Sequence, residues 1–257
     1  MPRIAFPLLA ALLSASCLCA QEAPIQSRVH TWAQSPTERV GPTEVRRLCR
    51  GSGLDLELMD VTATTLGAGQ AFAGNGTDSC ERLLIVKSGR LQTEVSGQSR
   101  TLGIGSLILV MPGDECRLAA TAEASATFFQ LRYKSKHRAD AERGRRTGGS
   151  RLIEWAELPY TANEVGGRRQ PFERATAMFS ESEMHVTTLN PGLTTHAPHT
   201  HVPDEIVLMI RGETEMSIDG IPCRGTAGDL YFLGSGVPHN IHNVGTTPAE
   251  YYAFQWR

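Results

Sequence analysis

A surplus of either charge is the first thing this sequence lacks. Lys+Arg 25 stand against Asp+Glu 27, a formal net charge of −2 at pH 7. No overall field therefore draws in nucleic acid or an anionic membrane, and either partner would need a local patch. Beyond residue 20 there is no apolar run long enough to cross a bilayer. Cysteine is sparse, six in 257 residues, and the spacing fits no zinc knuckle. What remains is a chain long enough to bury a hydrophobic core in one large domain or two ordinary ones.

The first twenty residues, MPRIAFPLLAALLSASCLCA, carry a basic Arg3, an apolar run broken by Pro7, and small residues before the following QEAP. This pattern predicts a secretory signal over residues 1–20, cut after Ala20, and a periplasmic or secreted protein. A spanning anchor would be longer. Lipid attachment at Cys17 would favour an aliphatic residue three positions earlier, where Ser14 stands. Signal removal leaves Cys49, Cys80, Cys116 and Cys223, and an oxidising compartment would permit disulfides, with three full pairings open.

The chain repeats itself. Thr64–Gly69 (TTLGAG) recurs as Thr187–Gly192 (TTLNPG), an offset of 123 that also carries Gly89 onto Gly212, Gly97 onto Gly220, Gly105 onto Gly228 and Gly113 onto Gly236. Turn glycines that keep register imply one backbone built twice. Each copy reads as short strands. Glu205–Ile210 leads to Arg211-Gly212, Met216 and Ile218 alternate with polar residues before Asp219-Gly220, and Ala227-Gly228-Asp229 precedes Leu230–Leu233. Strands and turns at these intervals predict an all-β protein of two barrels or sandwiches, over 58–133 and 173–257. Residues 21–57 show no clean period and read as an extended arm wrapping the first barrel. Residues 134–172 read as linker and arm, opening with a solvated run that exposes Arg143, Arg145 and Arg146 and has no aromatic or groove-reading motif for nucleic acid.

Six of the eight histidines lie between His185 and His242. In an extended chain, residues two apart share a face, so His199 and His201 project together and Glu205 follows in phase. His239, after the Gly234–Pro238 turn, would complete the set from another strand. Three imidazoles and a carboxylate suit one divalent ion (Mn, Fe, Ni, Zn or Co) and leave positions for water or substrate. The same residues could be surface or core hydrogen-bonders, but four potential ligands on two independent segments favour the metal. His196 and His242 fall out of phase and are expected at the rim or outer face. His185 is left open between a supporting and an exposed position, while Met184, Val207 and Met209 are expected to line an apolar pocket by strand phase.

These residues carry a family resemblance. Gly192, His199-Thr-His201, Val202-Pro-Asp204, Glu205 and Gly212 resemble the first cupin motif. Gly228, Gly236, His239 and Asn243 resemble the second, with Gly234 where a proline is usual. Together with the repeat, the resemblance is to bicupins over roughly residues 58–257 and implies two tandem jelly-roll barrels with the metal in the second. The offset of 123 sets Gly76 against His199, Asp78 against His201, Arg82 against Glu205 and Cys116 against His239. That set would not hold a divalent ion, so the first barrel is expected to be structural, a dimerisation or lid element leaving a homo-oligomer open. A thiol site at Cys116 and Cys80 is the rival.

Among bicupins the arrangement is similar to the ureidoglycine aminohydrolase group, through Met184–Leu189 leading to Pro191-Gly192 and Gly228-Asp229 before Gly234. That group holds its metal with Glu, His, His and Gln, where this chain has His199, His201, Glu205 and His239. It also carries a lysine near its terminus, where this chain ends Ala253-Phe-Gln-Trp-Arg257. Two functional classes follow. One is a metal-dependent enzyme acting on a small polar metabolite, of oxygenase, isomerase or hydrolase type. The other is a non-catalytic ligand-binding or structural cupin, kept open because no acid or base is evident beside the ligands.

Overall fold

The computed structural model describes residues 22–41, 43–74 and 77–257. The signal segment 1–20, Cys17 and Gly76 lie outside the described residues. The first half contains β1 (Arg28–His30), β2 (Thr37–Val40), β3 (Thr43–Gly51), β4 (Leu56–Leu66), β5 (Ala71–Gly74) and β6 (Glu81–Ser88). It continues with β7 (Leu91–Val95), β8 (Gln98–Leu102), β9 (Leu107–Val110), β10 (Cys116–Ala120) and β11 (Ala126–Ser135). After α1 (Ala141–Arg146) come β12 (Arg151–Ile153), β13 (Thr161–Asn163), β14 (Gly166–Arg174), β15 (Ser182–Leu189) and β16 (Glu205–Arg211). The chain ends with β17 (Glu213–Ile218), β18 (Ile221–Thr226), β19 (Leu230–Leu233), β20 (His239–Asn243) and β21 (Ala249–Trp256). The all-β architecture expected from the sequence is what is observed. Among the described residues no helix is long and apolar enough to cross a membrane.

Each half forms a barrel from a large and a small antiparallel sheet. In the first, a seven-stranded sheet β12-β9-β6-β11-β4-β3-β2 faces a four-stranded sheet β5-β10-β7-β8. In the second, β1-β19-β16-β21-β15-β14-β13 faces β18-β17-β20. The central strands are buried on both faces, which is why they read as continuous apolar runs rather than alternating ones. On β16, Ile206 and Leu208 point into a core shared between the two large sheets, whereas Val207 and Met209 point into the barrel interior. The shared core takes Met59, Leu131 and Tyr133 from one half and Met184, Phe254 and Trp256 from the other.

The two halves exchange strands. β1 pairs with β19 of the second barrel, and β12 pairs with β9 of the first. The 123-residue offset relates β1 to β12 and β9 to β19, so the repeat extends into segments whose sequence shows no clean period. The segment expected to wrap the first barrel thus crosses to the second before β2 and β3 return. The exchange is locked in pairs. Trp32 N–H donates to Asp229 Oδ1 at 2.7 Å and Trp155 N–H to Ser106 Oγ at 3.0 Å. Arg46 lies over the Trp32 ring at 4.6 Å and Arg169 over Trp155 at 4.8 Å, contacts worth about 0.5–1 kcal/mol each at partly exposed sites. Gly234 N–H donates to Ser27 Oγ at 2.9 Å. Proline, usual there in the motif, has no such hydrogen to give.

The run expected as solvated linker is partly docked. Asp140 caps α1 through the Arg143 N–H at 2.8 Å, and Gly144 is buried against Ala177 and Met111. Arg143 is half-buried, donating to the carbonyls of Thr176 at 2.7 Å and Ala177 at 3.2 Å, while Arg145 and Arg146 are exposed as expected.

In the first barrel, Asp78 is bonded to Arg132 at 2.6 and 2.8 Å. Arg82 is buried with its Nη2 donating to the Asp114 carbonyl at 2.8 Å, and Cys116 packs with Leu118 and Phe128. Cys49, Cys80, Cys116 and Cys223 are free thiols. Burial pushes Cys49 up to about 12 and Cys80 and Cys116 up to about 11, which leaves these three protonated and unreactive near neutrality.

The strand exchange can be tested at two glycines. A Cβ on Gly105, at φ +84°, would meet the Trp155 ring at 2.6 Å, whereas one on Gly97, at φ +76°, meets nothing within 4 Å. Gly97→Ala should cost about 1–2 kcal/mol from backbone strain alone. Gly105→Ala should cost about 1–3 kcal/mol more from overpacking. Urea unfolding midpoints of the two variants measure the difference.

Candidate metal centre

The approach to β16 is not one continuous strand. His199 forms an isolated bridge with His239, each N–H donating to the other's carbonyl at 3.1 and 3.0 Å. The chain then bends at Val202-Pro203 before β16 begins at Glu205. Strand phase therefore governs His199 and His201, but Glu205 reaches the same place by way of the bend. Asp204 fixes that bend: Oδ1 accepts from Ser235 N–H at 2.9 Å, and Oδ2 from Leu54 N–H of the first half at 2.7 Å. Its counterpart by the repeat, Glu81, likewise accepts from Met178 N–H at 3.2 Å.

All four residues singled out in the sequence meet at the end of the second barrel. One ring nitrogen from each of His199, His201 and His239 lies within 4.8 Å of the others, a group that could hold a metal ion. Glu205 Oε2 is 3.1 Å from His201 Nε2 and 3.3 Å from His239 Nε2. Metal–nitrogen bonds of about 2.0–2.1 Å at right angles place adjacent ligand atoms ~3 Å apart, which the two Glu205 spacings match. His239 and Glu205 are buried, His201 half-buried and His199 exposed, which leaves one side of the cluster accessible.

Hydrogen bonding fixes the ring tautomers. His201 Nδ1 faces the Pro203 carbonyl at 2.7 Å and His239 Nδ1 faces the Val237 carbonyl at 2.9 Å. A carbonyl only accepts, so each Nδ1 carries the hydrogen, and in the neutral ring Nε2 presents its lone pair. Both lone pairs then face Glu205. Lone pair against carboxylate is repulsive unless a cation, proton or metal, sits between them. Without a metal, a proton takes that place at His201. Burial alone would raise the Glu205 carboxyl, but the imidazoles of His201 and His239 hold it down at about 2. The Glu205 carboxylate raises His201, against its burial, whereas burial and then the neighbouring His196, His239 and His201 lower His199.

The cluster opens onto a cavity of about 250 Å³. Val207 lines it, as expected. Met184 does not: its side of β15 enters the core between the barrels, and the other side of that strand brings His185 and Thr187 into the cavity. Met209 shares the Val207 face but packs deeper in the barrel core, with Thr214 Oγ1 donating to its sulfur at 3.3 Å. His196 lies at the mouth, its ring 4.1 Å from that of His199, and His242 turns away to Thr194 Oγ1 at 3.0 Å. The sequence reading did not find Arg168, Tyr251 and Gln255 in the cavity. The alternation Met184-His-Val-Thr was visible, but both faces of β15 are buried and nothing local says which one meets the cavity.

Residues 185–254 match the family model for the cupin domain. Among solved structures the chain is similar to protein Ylba from E. coli, with 15% identity, a TM-score of 0.69, and 93% of this chain and 95% of that one covered. It is similar to the putative glyoxylate induced protein from Pseudomonas aeruginosa, with 14% identity, a TM-score of 0.71 and coverage of 86% and 83%. The oxalate decarboxylase of Lactobacillus farciminis, in a formate complex, shares 10% identity at a TM-score of 0.68 over 91% and 87%. At such identities the likeness shows the fold alone, and that fold is the cupin jelly roll.

Histidine resonances of the chelator-treated protein test these electrostatics. His201 should titrate above 6.5 and His199 below it, and Glu205→Gln should return His201 towards 6.5. The linked stability has a defined window. The His201 contribution is complete below 6.5 and lost as pH rises through its raised value, while that of Glu205 is present above 4.5 and lost as pH falls towards 2. Wild type should therefore exceed Glu205→Gln in metal-free stability by most between about 4.5 and 6.5, as read by denaturant unfolding across that range.

Proposed function

We propose that this cupin-fold protein binds one divalent metal ion through His199, His201, Glu205 and His239 and acts as a metal-dependent enzyme on a small polar metabolite. The observation that carries this reading is the pair of imidazole Nε2 atoms that converge on one carboxylate while each Nδ1 is committed to a backbone carbonyl. Such preorganisation is what a cation site requires and is costly without one. Three imidazoles and a carboxylate suit Mn, Fe, Ni, Zn or Co. When bound, the ion would supply Lewis-acid chemistry and a chelation point for substrate oxygen or nitrogen. The accessible side at His199 and the cavity beyond it are where such a ligand would lie.

The class of reaction, oxygenase, isomerase or hydrolase, follows from the fold only as a range. The resemblance to ureidoglycine aminohydrolases keeps amide-type hydrolysis within that range, although the ligands here differ from that group's. One solved neighbour is an oxalate decarboxylase. A non-catalytic binder remains the second reading, with the metal serving ligand capture or stability. We further propose export. The protein recovered from the periplasm or medium should begin at Gln21.

Elemental analysis of protein purified without chelator should give about one metal per chain, and His239→Ala should lower metal affinity by about a hundredfold or more, a ligand counting for at least as much as its supporting partners. Metal supplied at about 100 times its Kd should add ~2.7 kcal/mol to the unfolding free energy of wild type and little to that of the variant. A wild type that neither carries nor reloads stoichiometric metal would defeat the reading. Turnover of ureido compounds or consumption of O2 by the loaded protein would favour the enzyme, and tight binding without product the binder.

A further inference from the structure

The cavity holds a second titratable group that ion binding does not use. His185 on β15 sets its Nδ1 2.8 Å from Glu183 Oε1. The same oxygen accepts from Gln170 Nε2 at 3.2 Å and from the Arg168 guanidinium, both on β14. A carboxylate held by these donors offers the imidazole only an acceptor. In the neutral ring the His185 hydrogen therefore lies on Nδ1, and Nε2 keeps its lone pair. The side chain is 19% exposed and lines the cavity.

Strand register relates its backbone to that of the cluster. His185 lies opposite Ala253 on β21, and Ala253 opposite Val207 on β16, two residues beyond Glu205. Two strand spacings put the Cα atoms of His185 and Val207 about 10 Å apart. Ala253 and Val207 lie along this row and Gln255, opposite both Glu183 and Glu205, along the next, and His185, these three residues and the cluster line one cavity. At about 250 Å³ the cavity is smaller than the ~300–1,000 Å³ of drug-sized ligand pockets, and it fits a small ligand that touches both ends.

The first barrel serves as an internal comparison. The offset of 123 places Asp60 at Glu183 and Thr62 at His185. Asp60 is engaged by Arg47 and Arg50, each at 3.0 Å. Both barrels keep an acid that neutralises arginine on this strand, so a role for Glu183 in pairing Arg168 accounts for the acid but not for the imidazole. The imidazole occurs where the cavity and the metal-type cluster occur.

We propose that His185, oriented by Glu183, is the acid–base group of this cavity, taking a proton from, or returning one to, a small chelating acid held between it and the metal. This rests on the metal reading above. The charged and titratable groups around it are Glu183 on its own strand, in direct contact, and, lining the cavity, Arg168 on β14, Tyr251 on β21, and His196 with the Glu205 cluster.

The test loads the full chain with zinc and titrates it calorimetrically with acetohydroxamic acid, in two buffers of different ionisation enthalpy. This probe is neutral in water near neutral pH and chelates as its anion, so its O–H bond must break. In wild type the proton forms an Nε2–H bond on His185, giving an imidazolium beside the Glu183 carboxylate. Wild type should bind with almost no net proton release. His185→Asn should release about one proton per ligand and bind roughly tenfold more weakly, with Glu183→Gln between them. Equal proton counts in wild type and His185→Asn, at equal zinc content, would overturn the role of His185 and leave the metal reading standing. Wild type that takes up no zinc would sink both. Nitrogen-15 spectra of the metal-free protein give an independent readout. The Nδ1–H tautomer of His185 is expected in wild type and a mixture in Glu183→Gln, and an Nε2–H tautomer in wild type would overturn the proposal.

Discussion

Back-to-back packing of the two large sheets is the constraint on which the rest of the molecule depends. Ile206 and Leu208 on one side and Leu83 and Ile85 on the other bury the outer faces of strands whose inner faces already fill a barrel. A strand buried on both sides has no solvent face to define its phase, so the shared core assigns it. Once Met184 and Val186 are drawn into that core, His185 and Thr187 must face the second cavity. The reciprocal crossing of β1 and β12 reinforces the packing, since each half supplies an edge strand to the other's sheet and covers an otherwise open edge.

Within this shared frame the two interiors have diverged. The first is closed by Leu84, Val110, Leu118 and Phe128, with Arg82 turned to a carbonyl and Asp78 committed to Arg132. The second keeps a polar end, with His201, His239 and Glu205 in mutual contact and a cavity beside them. The packing between the barrels does not require this difference, because the side chains that differ point inward. One backbone thus supports an apolar interior in one copy and a polar one in the other.

The second site also depends on the first half. Leu54 N–H holds Asp204, which anchors the bend before Glu205, and Ser27 Oγ receives Gly234 N–H in the turn before His239. The carboxylate and the fourth imidazole are therefore positioned in part by residues far away in the chain. The first barrel and its arm contribute to the geometry of the cluster, and among their described residues none joins it as a ligand-type side chain.

The sequence alone determined the repeat, the all-β class and the residues of the cluster. Each is written locally: glycines at turn positions, two-residue alternation, and histidines with glutamate at fixed spacing. The tertiary structure decided what no local pattern encodes. It sent β1 across to β19, docked Arg143 on the carbonyls of Thr176 and Ala177, and chose which face of β15 meets the cavity. The physical reason is the same in each case. These choices are made by partners distant in the chain, at strands apolar on both faces or segments without a period, and only folding brings those partners together.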